Sequence, residues 1–183
     1  MGNKVLVIDA DPQASLSICM GQQEPDKLEP TIVDIIEKLV NEEEIPDGYA
    51  IIKHSDNIDL LPSNIGLSAA EVSLVNVMSR ELVLKGYIDS VKDNYDYVII
   101  DTAPLGMVID AAVIAKKSDA AVIILESGKD DYRNVSHLKK QLEVTGVDII
   151  GVVLNKINIG KNNYGYGRYG KYGYGKYGYG YGY

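Results

Sequence analysis

The stretch VLVIDAD at residues 5–11 decides the fold, because a run of strand-forming residues leads directly into two aspartates. Four consecutive apolar side chains, three of them β-branched, are typical of a strand that a parallel sheet covers on both faces. The arrangement recurs at YVIID, residues 97–101. Two such strands predict a sheet whose carboxyl-terminal edge carries Asp9, Asp11 and Asp101.

Helical and strand patterns alternate on either side of these stretches. Apolar residues three or four positions apart predict helices, and short apolar runs between turn residues predict strands. The sequence SAAE at residues 68–71 has the pattern of a capping box, which begins a helix. The predicted helices cover 31–40, 68–93, 111–117 and 135–144, and the further predicted strands cover 50–52, 58–61, 120–125 and 149–154. This alternation predicts an α/β fold in three layers, with a parallel sheet flanked by helices.

Polar residues stand at the ends of the predicted strands, namely Asp9, Asp101, Glu126 and Asn155. In open parallel sheets, ligands bind beyond this edge. Two interpretations of the aspartates remain open. An aspartate after a strand caps the helix that follows. Alternatively, two carboxylates on neighbouring strands hold Mg²⁺ together with phosphate oxygens and orient an attacking hydroxyl group.

Charge and composition exclude several classes of protein. The net charge is −8, and residues 161–183 hold four basic and no acidic residues, which leaves −12 on residues 1–160. This acidic body argues against a protein that coats DNA nonspecifically, and we expect no direct contact with nucleic acid. Cys19 is the one cysteine in the sequence, and neither a signal peptide nor a membrane-spanning run is visible. We therefore expect a cytoplasmic protein without a transmembrane segment.

The end of the sequence, residues 164–183, holds nine of the 14 tyrosines together with eight glycines. Glycine at every second or third position predicts a disordered tail over 161–183, after a folded domain over 1–160. Such a tail is typical of a self-associating segment, of a segment that stacks on single-stranded nucleic acid, or of a phosphate acceptor. The acceptor interpretation is favoured, and the predicted acceptors are Tyr164, Tyr166, Tyr169, Tyr172, Tyr174, Tyr177, Tyr179, Tyr181 and Tyr183.

Three segments resemble motifs of the ParA/MinD class of P-loop ATPases and occur in the order of that class. VLVIDAD resembles the second, deviant Walker segment, and IIDTAP at 99–104 resembles the Walker B segment. GVVLNK at 151–156 resembles the strand whose terminal asparagine reads the adenine base. The resemblance implies a P-loop NTPase fold with ATP and Mg²⁺ as cofactors. It further implies catalytic roles for Asp9, Asp11 and Asp101, metal binding by Asp11 and Asp101, and nucleotide binding by Asn155.

Two branches of this class resemble different parts of the chain. From about residue 95 to 157, and in the tyrosine-rich tail, the sequence is similar to the bacterial tyrosine kinases (BY-kinases) of capsule and exopolysaccharide biosynthesis, which phosphorylate such tails in trans. From residue 4 to about 93 it is more similar to ParA ATPases, which share the sequence Asp11-Pro12-Gln13. Our hypothesis for the two resemblances is a mosaic gene with a seam near residues 93–101.

The kinase resemblance is favoured, and it implies a phosphoprotein with several partners. These are a membrane adaptor that activates polysaccharide export, other copies of the chain through self-association, and an intact paralogous kinase. The resemblance thus implies membrane association through a partner. The alternatives are a ParA-type partitioning ATPase fragment and a catalytically silent phospho-acceptor or scaffold.

A glycine-rich phosphate loop, GxxxxGK[ST], does not occur in the 183 residues. Such a loop cradles phosphates with backbone amides and a lysine. Relative to the class, about 30 residues of a strand-and-helix unit are missing before VLVIDAD, and the loss of that central strand would expose apolar surface on its neighbours. We therefore expect weak ATP binding and little or no kinase activity from this chain alone. Lys4 is not expected to replace the lysine of the loop, because it precedes the strand.

Overall fold

The computed structural model of the protein describes residues 2–74, 80–104 and 110–157. The strands are β1 (Val5–Ala10), β2 (Ile52–Lys53), β3 (Ile58–Leu61), β4 (Tyr97–Thr102), β5 (Ala120–Glu126) and β6 (Asp148–Asn155). The α-helices are α1 (Ser15–Cys19), α2 (Ile32–Val40), α3 (Leu67–Leu74), α4 (Arg80–Val91), α5 (Asp110–Lys116) and α6 (Tyr132–Thr145). Short 3₁₀ turns lie at Pro25–Lys27 and Lys92–Asn94.

Four strands form the larger sheet, in the order β2-β3-β1-β4. Strand β1 pairs in parallel with β3 on one side and with β4 on the other, whereas β2 pairs antiparallel with β3. The register places Asp9 opposite Asp101 and Ala10 opposite Thr102. The two strands that end in aspartate are therefore neighbours, and their aspartates lie at the same edge of the sheet.

Strands β5 and β6 form a second parallel sheet, in which Glu126 lies opposite Asn155. The side chains of Ile123, Leu142 and Val147 form its small core with Ala115. Within the described ranges, β4 pairs with β1 and β5 pairs with β6, and no strand joins β4 to β5. One long edge of β4 and one long edge of β5 therefore end the two sheets.

The larger sheet covers the main core of the molecule. Leu6 and Ile8 of β1, Ile35 of α2 and Leu61 of β3 are completely buried in it. Helix α2 faces this core with Ile32, Ile35 and Ile36, which share one side of the helix. A capping box closes its amino end. The hydroxyl of Thr31 accepts a hydrogen bond from the amide of Val33, while the carboxylate of Asp34 accepts one from the amide of Thr31.

The predicted α/β fold, with a parallel sheet and flanking helices, is confirmed. The predicted helix over 68–93 corresponds to α3 and α4, and the strands at 58–61 and 120–125 agree closely with β3 and β5. The predicted capping box at 68–71 is wrong, because α3 already begins at Leu67. The turn before α3 is closed instead by Asn64, whose side-chain oxygen accepts a hydrogen bond from the amide of Gly66 at 2.9 Å.

Candidate functional site

Asp9 is the most enclosed of the predicted site residues, with no exposed surface at the end of β1. Its Oδ2 accepts hydrogen bonds from the amide of Ser17 at 2.8 Å and from the Ser17 hydroxyl at 2.7 Å. Its Oδ1 accepts a longer bond, 3.2 Å, from the amide of Asp11. A buried carboxylate is stable only with such donors. In this arrangement Asp9 ties α1 and the intervening turn to the edge of the sheet.

The turn between β1 and α1 holds Asp11 half-buried at the same edge. The Asp11 side chain accepts a hydrogen bond from the amide of Gln13 at 2.9 Å, and its backbone carbonyl accepts one from Ala14 at 2.9 Å. Ala14 has a φ of 51°, which lies in the left-handed region that residues with a side chain seldom adopt. Such strain tends to occur where a functional turn is held in one shape. Here it directs the amide of Ser17 towards Asp9.

Asp101 lies opposite Asp9 in the register, at the end of β4. Desolvation by neighbouring protein atoms raises the pKa of the Asp101 carboxyl, and the negative charges of Asp9 and Asp11 raise it further. A hydrogen bond from the amide of Thr102 acts in the opposite direction. Three acids therefore meet at this edge, and at least one of them is held there at an electrostatic cost. A cation at this edge would relieve that cost.

The donor set at this edge fits magnesium. Across the part of the chain that the structure describes, no group of three or more His, Cys, Asp or Glu side chains is arranged to hold a metal ion. The edge provides instead the carboxylates of Asp11 and Asp101, which are hard oxygen ligands. Mg²⁺ is commonly held by one or two carboxylates, with waters and phosphate oxygens completing its coordination. The residues therefore suit a magnesium–nucleotide complex better than a metal in an all-protein cage.

Asn155 stands at the end of β6 in the smaller sheet, so it belongs to a different part of the edge. Its side-chain oxygen accepts a hydrogen bond from the amide of Lys156 at 2.8 Å, and its carbonyl accepts one from Ser127 at 2.9 Å. Glu126 beside it forms ion pairs with Lys156 at 3.1 Å and with Lys129 at 3.4 Å. The hydrogen bond from Lys156, followed by both positive charges, lowers the pKa of the Glu126 carboxyl.

A large, open cavity of about 2230 Å³ reaches both parts of the edge. Asp101 and Asn155 both line it, together with Glu126 and Lys156. Lys4 lies at the opposite end of the strands, where it forms an ion pair with Asp59 at 3.8 Å and its amide donates to Asp96 at 2.7 Å. It is therefore far along the strand from Asp9, as expected from the sequence.

The sequence did not reveal the role of Ser17 or of Ser63. Both are completely buried, and the amide of Ser63 donates to the Ser17 hydroxyl at 3.1 Å. These contacts link β3 to the Asp9 network across 46 positions of sequence. No local pattern indicates such a link, because it depends on the pairing of β1 with β3. The predicted acceptor tyrosines, from Tyr164 to Tyr183, lie outside the described residues.

None of the helices in the described ranges is long and apolar enough to cross a membrane. The model of the AAA domain family matches residues 1–146. The sporulation initiation inhibitor protein Soj of Bacillus subtilis is 36% identical to this chain over 163 residues, covering 84% of the chain and 61% of Soj. The tyrosine-protein kinase CpsD of Streptococcus pneumoniae serotype 4 is 34% identical over 159 residues, covering 84% of the chain and 63% of CpsD.

A solved structure with a similar fold is the cobyrinic acid a,c-diamide synthase of Mycobacterium smegmatis with bound ATP analog and magnesium. The TM-score is 0.67 at 25% identity, and the match covers 84% of this chain and 60% of that protein. The chain thus spans less than two thirds of the length of each of these three proteins. The similarity extends over the sheet and helices that position the acidic edge.

Proposed function

Since the chain belongs to the AAA domain family and resembles its ParA/MinD-like members, we propose that it works as a protein-tyrosine kinase of the type that regulates bacterial capsule and exopolysaccharide synthesis. In this proposal it transfers the γ-phosphoryl group of ATP to tyrosines of the tail of another copy. The similarity to CpsD and the nine tail tyrosines support this choice within the family.

The meeting of Asp9, Asp11 and Asp101 at one edge of the sheet is the observation that carries the proposal. Asp11 and Asp101 would hold Mg²⁺, which neutralises the negative charge of the phosphates when it is bound. Asp11 would also accept the phenolic proton as the tyrosine oxygen bonds to the γ-phosphorus and ADP leaves. Asp9, whose carboxylate is occupied by protein donors, contributes by holding the Asp11 turn in place.

Asn155 would contact the adenine base from the smaller sheet. It lines the same cavity as Asp101, so a nucleotide that reaches both residues must lie across the opening between the sheets. The 183 residues provide no GxxxxGK[ST] loop to cradle the phosphates. Because positioning and charge stabilisation supply most of the catalysis in phosphoryl transfer, we expect this chain alone to bind ATP weakly and to react slowly.

The tail provides a means of regulation in this proposal. Four basic residues attract it to the body of a neighbouring copy, which carries −12. Each phosphate adds about −1.5 to −2 of charge at neutral pH, so a few phosphates reverse the sign of the tail. Unmodified tails would therefore favour self-association, and phosphorylated tails would release the neighbour. A membrane adaptor and an intact paralogous kinase are the further partners proposed.

The test is to incubate the chain with Mg-ATP and to map phosphotyrosine by mass spectrometry, with and without an intact tyrosine kinase. We expect slow labelling of tail tyrosines by the chain alone, lost in the variants Asp11→Asn and Asp101→Asn. Labelling that requires the intact kinase and persists in both variants would contradict a catalytic role and favour the silent acceptor. A chain in which the nine tail tyrosines are replaced by Phe controls for labelling elsewhere.

A second candidate function is that of a ParA-type partitioning ATPase, which the similarity of 36% to Soj and the sequence Asp11-Pro12-Gln13 favour. The same carboxylates would then activate water instead of a tyrosine hydroxyl. The reaction products distinguish the two functions. A partitioning ATPase releases inorganic phosphate and leaves the tail unmodified, whereas the kinase transfers phosphate to tyrosine.

A further inference from the structure

A chain of buried polar groups lies directly beneath the acidic edge. Asp9 at the end of β1, Ser17 in α1 and Ser63 just after β3 have no exposed surface. The amide and the hydroxyl of Ser17 donate to Oδ2 of Asp9 at 2.8 and 2.7 Å, and the amide of Ser63 donates to the Ser17 hydroxyl at 3.1 Å. We refer to Asp9, Ser17 and Ser63 as the buried junction. It joins the ends of two neighbouring strands through one serine side chain.

The partners of the Ser17 hydroxyl fix the direction of its hydrogen bonds. A serine hydroxyl has one proton to donate and two lone pairs that accept. The Ser63 amide can only donate, so the hydroxyl accepts from it and gives its own proton to the Asp9 carboxylate. Hydrogen bonds to a carboxylate are short and strong. With Oδ2 of Asp9 held by two donors from Ser17, the other oxygen, Oδ1, is left facing the turn that follows β1.

Oδ1 of Asp9 is the point at which the buried junction reaches a proposed metal ligand. It accepts a hydrogen bond from the amide of Asp11 at 3.2 Å. The turn that carries Asp11 ends at the strained Ala14, with a φ of 51°, and such a conformation persists only where the surroundings determine it. Ser17 acts on both ends of this turn, since it lies in the helix that follows Ala14 and holds the carboxylate that binds the Asp11 amide. The position of the Asp11 carboxylate therefore depends on Ser17.

Ser63 provides an internal comparison, because it is as deeply buried as Ser17 but contributes differently. Its amide takes part in the buried junction, whereas its hydroxyl has no hydrogen-bond partner within residues 2–74, 80–104 and 110–157. A buried hydroxyl without a partner destabilises the folded state. The Ser63 side chain can thus be shortened to Ala without removing a hydrogen bond of the junction. The same change at Ser17 removes both the donation to Asp9 and the acceptor of the Ser63 amide.

We propose that Ser17 is a positioning residue for the divalent metal at the acidic edge. Through Asp9 it holds Asp11 in the place where the Asp11 carboxylate binds Mg²⁺, without touching the metal itself. This inference rests on the metal-binding role given to Asp11 and Asp101 in the proposed function. Substituting a residue that orients a metal ligand typically lowers metal affinity by about 10–100-fold, and Ser17 is expected to act within that range.

The first experiment measures metal affinity without nucleotide or catalysis. The full chain is titrated with Mn²⁺, which shares the oxygen ligands of Mg²⁺ and can be followed by electron paramagnetic resonance. We expect Ser17→Ala to weaken Mn²⁺ binding at least about tenfold. Ser63→Ala, the matched control, should leave the affinity within about twofold of the wild type, because it removes an unpartnered hydroxyl. Equal affinity of Ser17→Ala and the wild type, or equal weakening by both variants, would overturn the proposal.

Two further variants of Ser17 separate positioning from folding. Ser17→Thr keeps the hydroxyl and adds a methyl group in a closed space, so it should lower the melting temperature and retain Mn²⁺ affinity within about threefold. Ser17→Cys nearly keeps the size of the side chain and replaces the hydroxyl by a weak donor, so it should weaken Mn²⁺ binding even if Ser17→Ala does not fold. Mn²⁺ affinity that follows the melting temperature, and not the presence of the hydroxyl, would show a merely structural role and contradict the proposal.

Hydrogen exchange of the Asp11 amide reports positioning in the absence of metal. We expect this exchange to quicken at least about tenfold in Ser17→Ala and to stay unchanged in Ser63→Ala. Unchanged Asp11 exchange in Ser17→Ala would contradict the proposal, since the turn would then be held without Ser17. A wild-type chain that binds no Mn²⁺ would refute both the metal site of the proposed function and this inference. A chain whose Mn²⁺ affinity depends on Ser17 but which transfers no phosphate would refute the kinase function alone.

Discussion

The two sheets of this molecule differ in how completely their strands are buried. The larger sheet buries β1 and β3 most completely: Leu6, Ile8 and Leu61 have no exposed surface, whereas Ile99 of its edge strand β4 is 54% exposed. In the smaller sheet, alternate residues remain in water, and Ile150 of β6 is 71% exposed. Apart from the short antiparallel strand β2, both sheets consist of parallel, mainly apolar strands, a type that is usually covered on both faces.

The difference between the sheets arises from their neighbours. Strand β1 lies between two partner strands and is covered by α2, whereas β5 has one partner strand among the described residues and its core is completed by α5 and α6 alone. An apolar strand sequence therefore predicts that both faces of the strand are covered. The exposed fraction of its side chains shows whether they are covered in the structure. The two disagree at Ile99 and Ile124, apolar strand residues that are 54% and 59% exposed.

The largest expected effect is a loss of stability on truncating the core of the larger sheet. We expect Leu6→Ala to lower the free energy of unfolding by about 2–5 kcal/mol, because it removes buried surface and leaves a cavity. The matched substitution Ile150→Ala in the exposed part of β6 is expected to cost less than about 0.5 kcal/mol. Urea unfolding followed by circular dichroism measures both. Similar losses in the two variants would show that the sheets do not differ as described.

The next effect concerns the aspartates at the edge. We expect Asp9→Asn to destabilise the chain by about 1–3 kcal/mol, because an amide nitrogen replaces one of the oxygens that accept three hydrogen bonds from Ser17 and Asp11. Asp11→Asn, at a half-buried position, is the control and should change stability by less than about 1 kcal/mol. Thermal unfolding at neutral pH distinguishes them, and a larger loss in Asp11→Asn would reverse the assignment of roles.

A smaller effect should depend on pH. The pKa of Asp101 is raised in the folded chain, so folding is opposed by the ionised carboxyl and not by the protonated one. Stability therefore falls as pH rises from the ordinary pKa of aspartate through the raised value. We expect Asp101→Asn to melt at a higher temperature than the wild type at neutral pH and at the same temperature in acid below the ordinary pKa. A higher melting temperature that persists unchanged in acid would argue against this cause.

The smallest effect is expected on the exposed side of β5. Ile124→Lys should leave the free energy of unfolding within about 0.5 kcal/mol of the wild type, since the side chain is already exposed. The adjacent substitution Ile123→Lys, at a residue that is 5% exposed, should destabilise strongly because it buries a charge. Chemical unfolding of this pair tests the alternation along β5. A strong loss of stability in Ile124→Lys would mean that this side of β5 is covered.

The alternation of strands and helices could be predicted from the sequence, because apolar runs define strands. The position of Asp9 beside Asp101 could also be predicted, because neighbouring parallel strands end at the same edge of a sheet. The hydrogen bonds that the Asp9 carboxylate accepts could not be predicted from the sequence, since the donor Ser17 follows a strained turn at Ala14. The start of α3 was missed because the turn depends on Asn64, outside the capping pattern at 68–71.

The separation of the strands into two sheets was not predicted, because the sequence pattern predicts one parallel sheet. Nothing in the residues of β4 or β5 distinguishes a strand with two partners from a strand with one, because each is an apolar run that leads into an acidic residue. The cavity lined by every residue of both strands is a property of tertiary structure.

Residue-resolved amide hydrogen exchange along β4 tests the central claim, that among the described residues this strand is paired along one edge only, with β1. The account predicts slow exchange for Tyr97 and Ile99, whose amides face β1 because the amide of Tyr97 donates to the carbonyl of Lys4. It predicts exchange at least about tenfold faster for Val98 and Ile100, whose amides face away from β1. Equal and strong protection of all four amides would contradict the account, because it would mean that both edges of β4 are already paired.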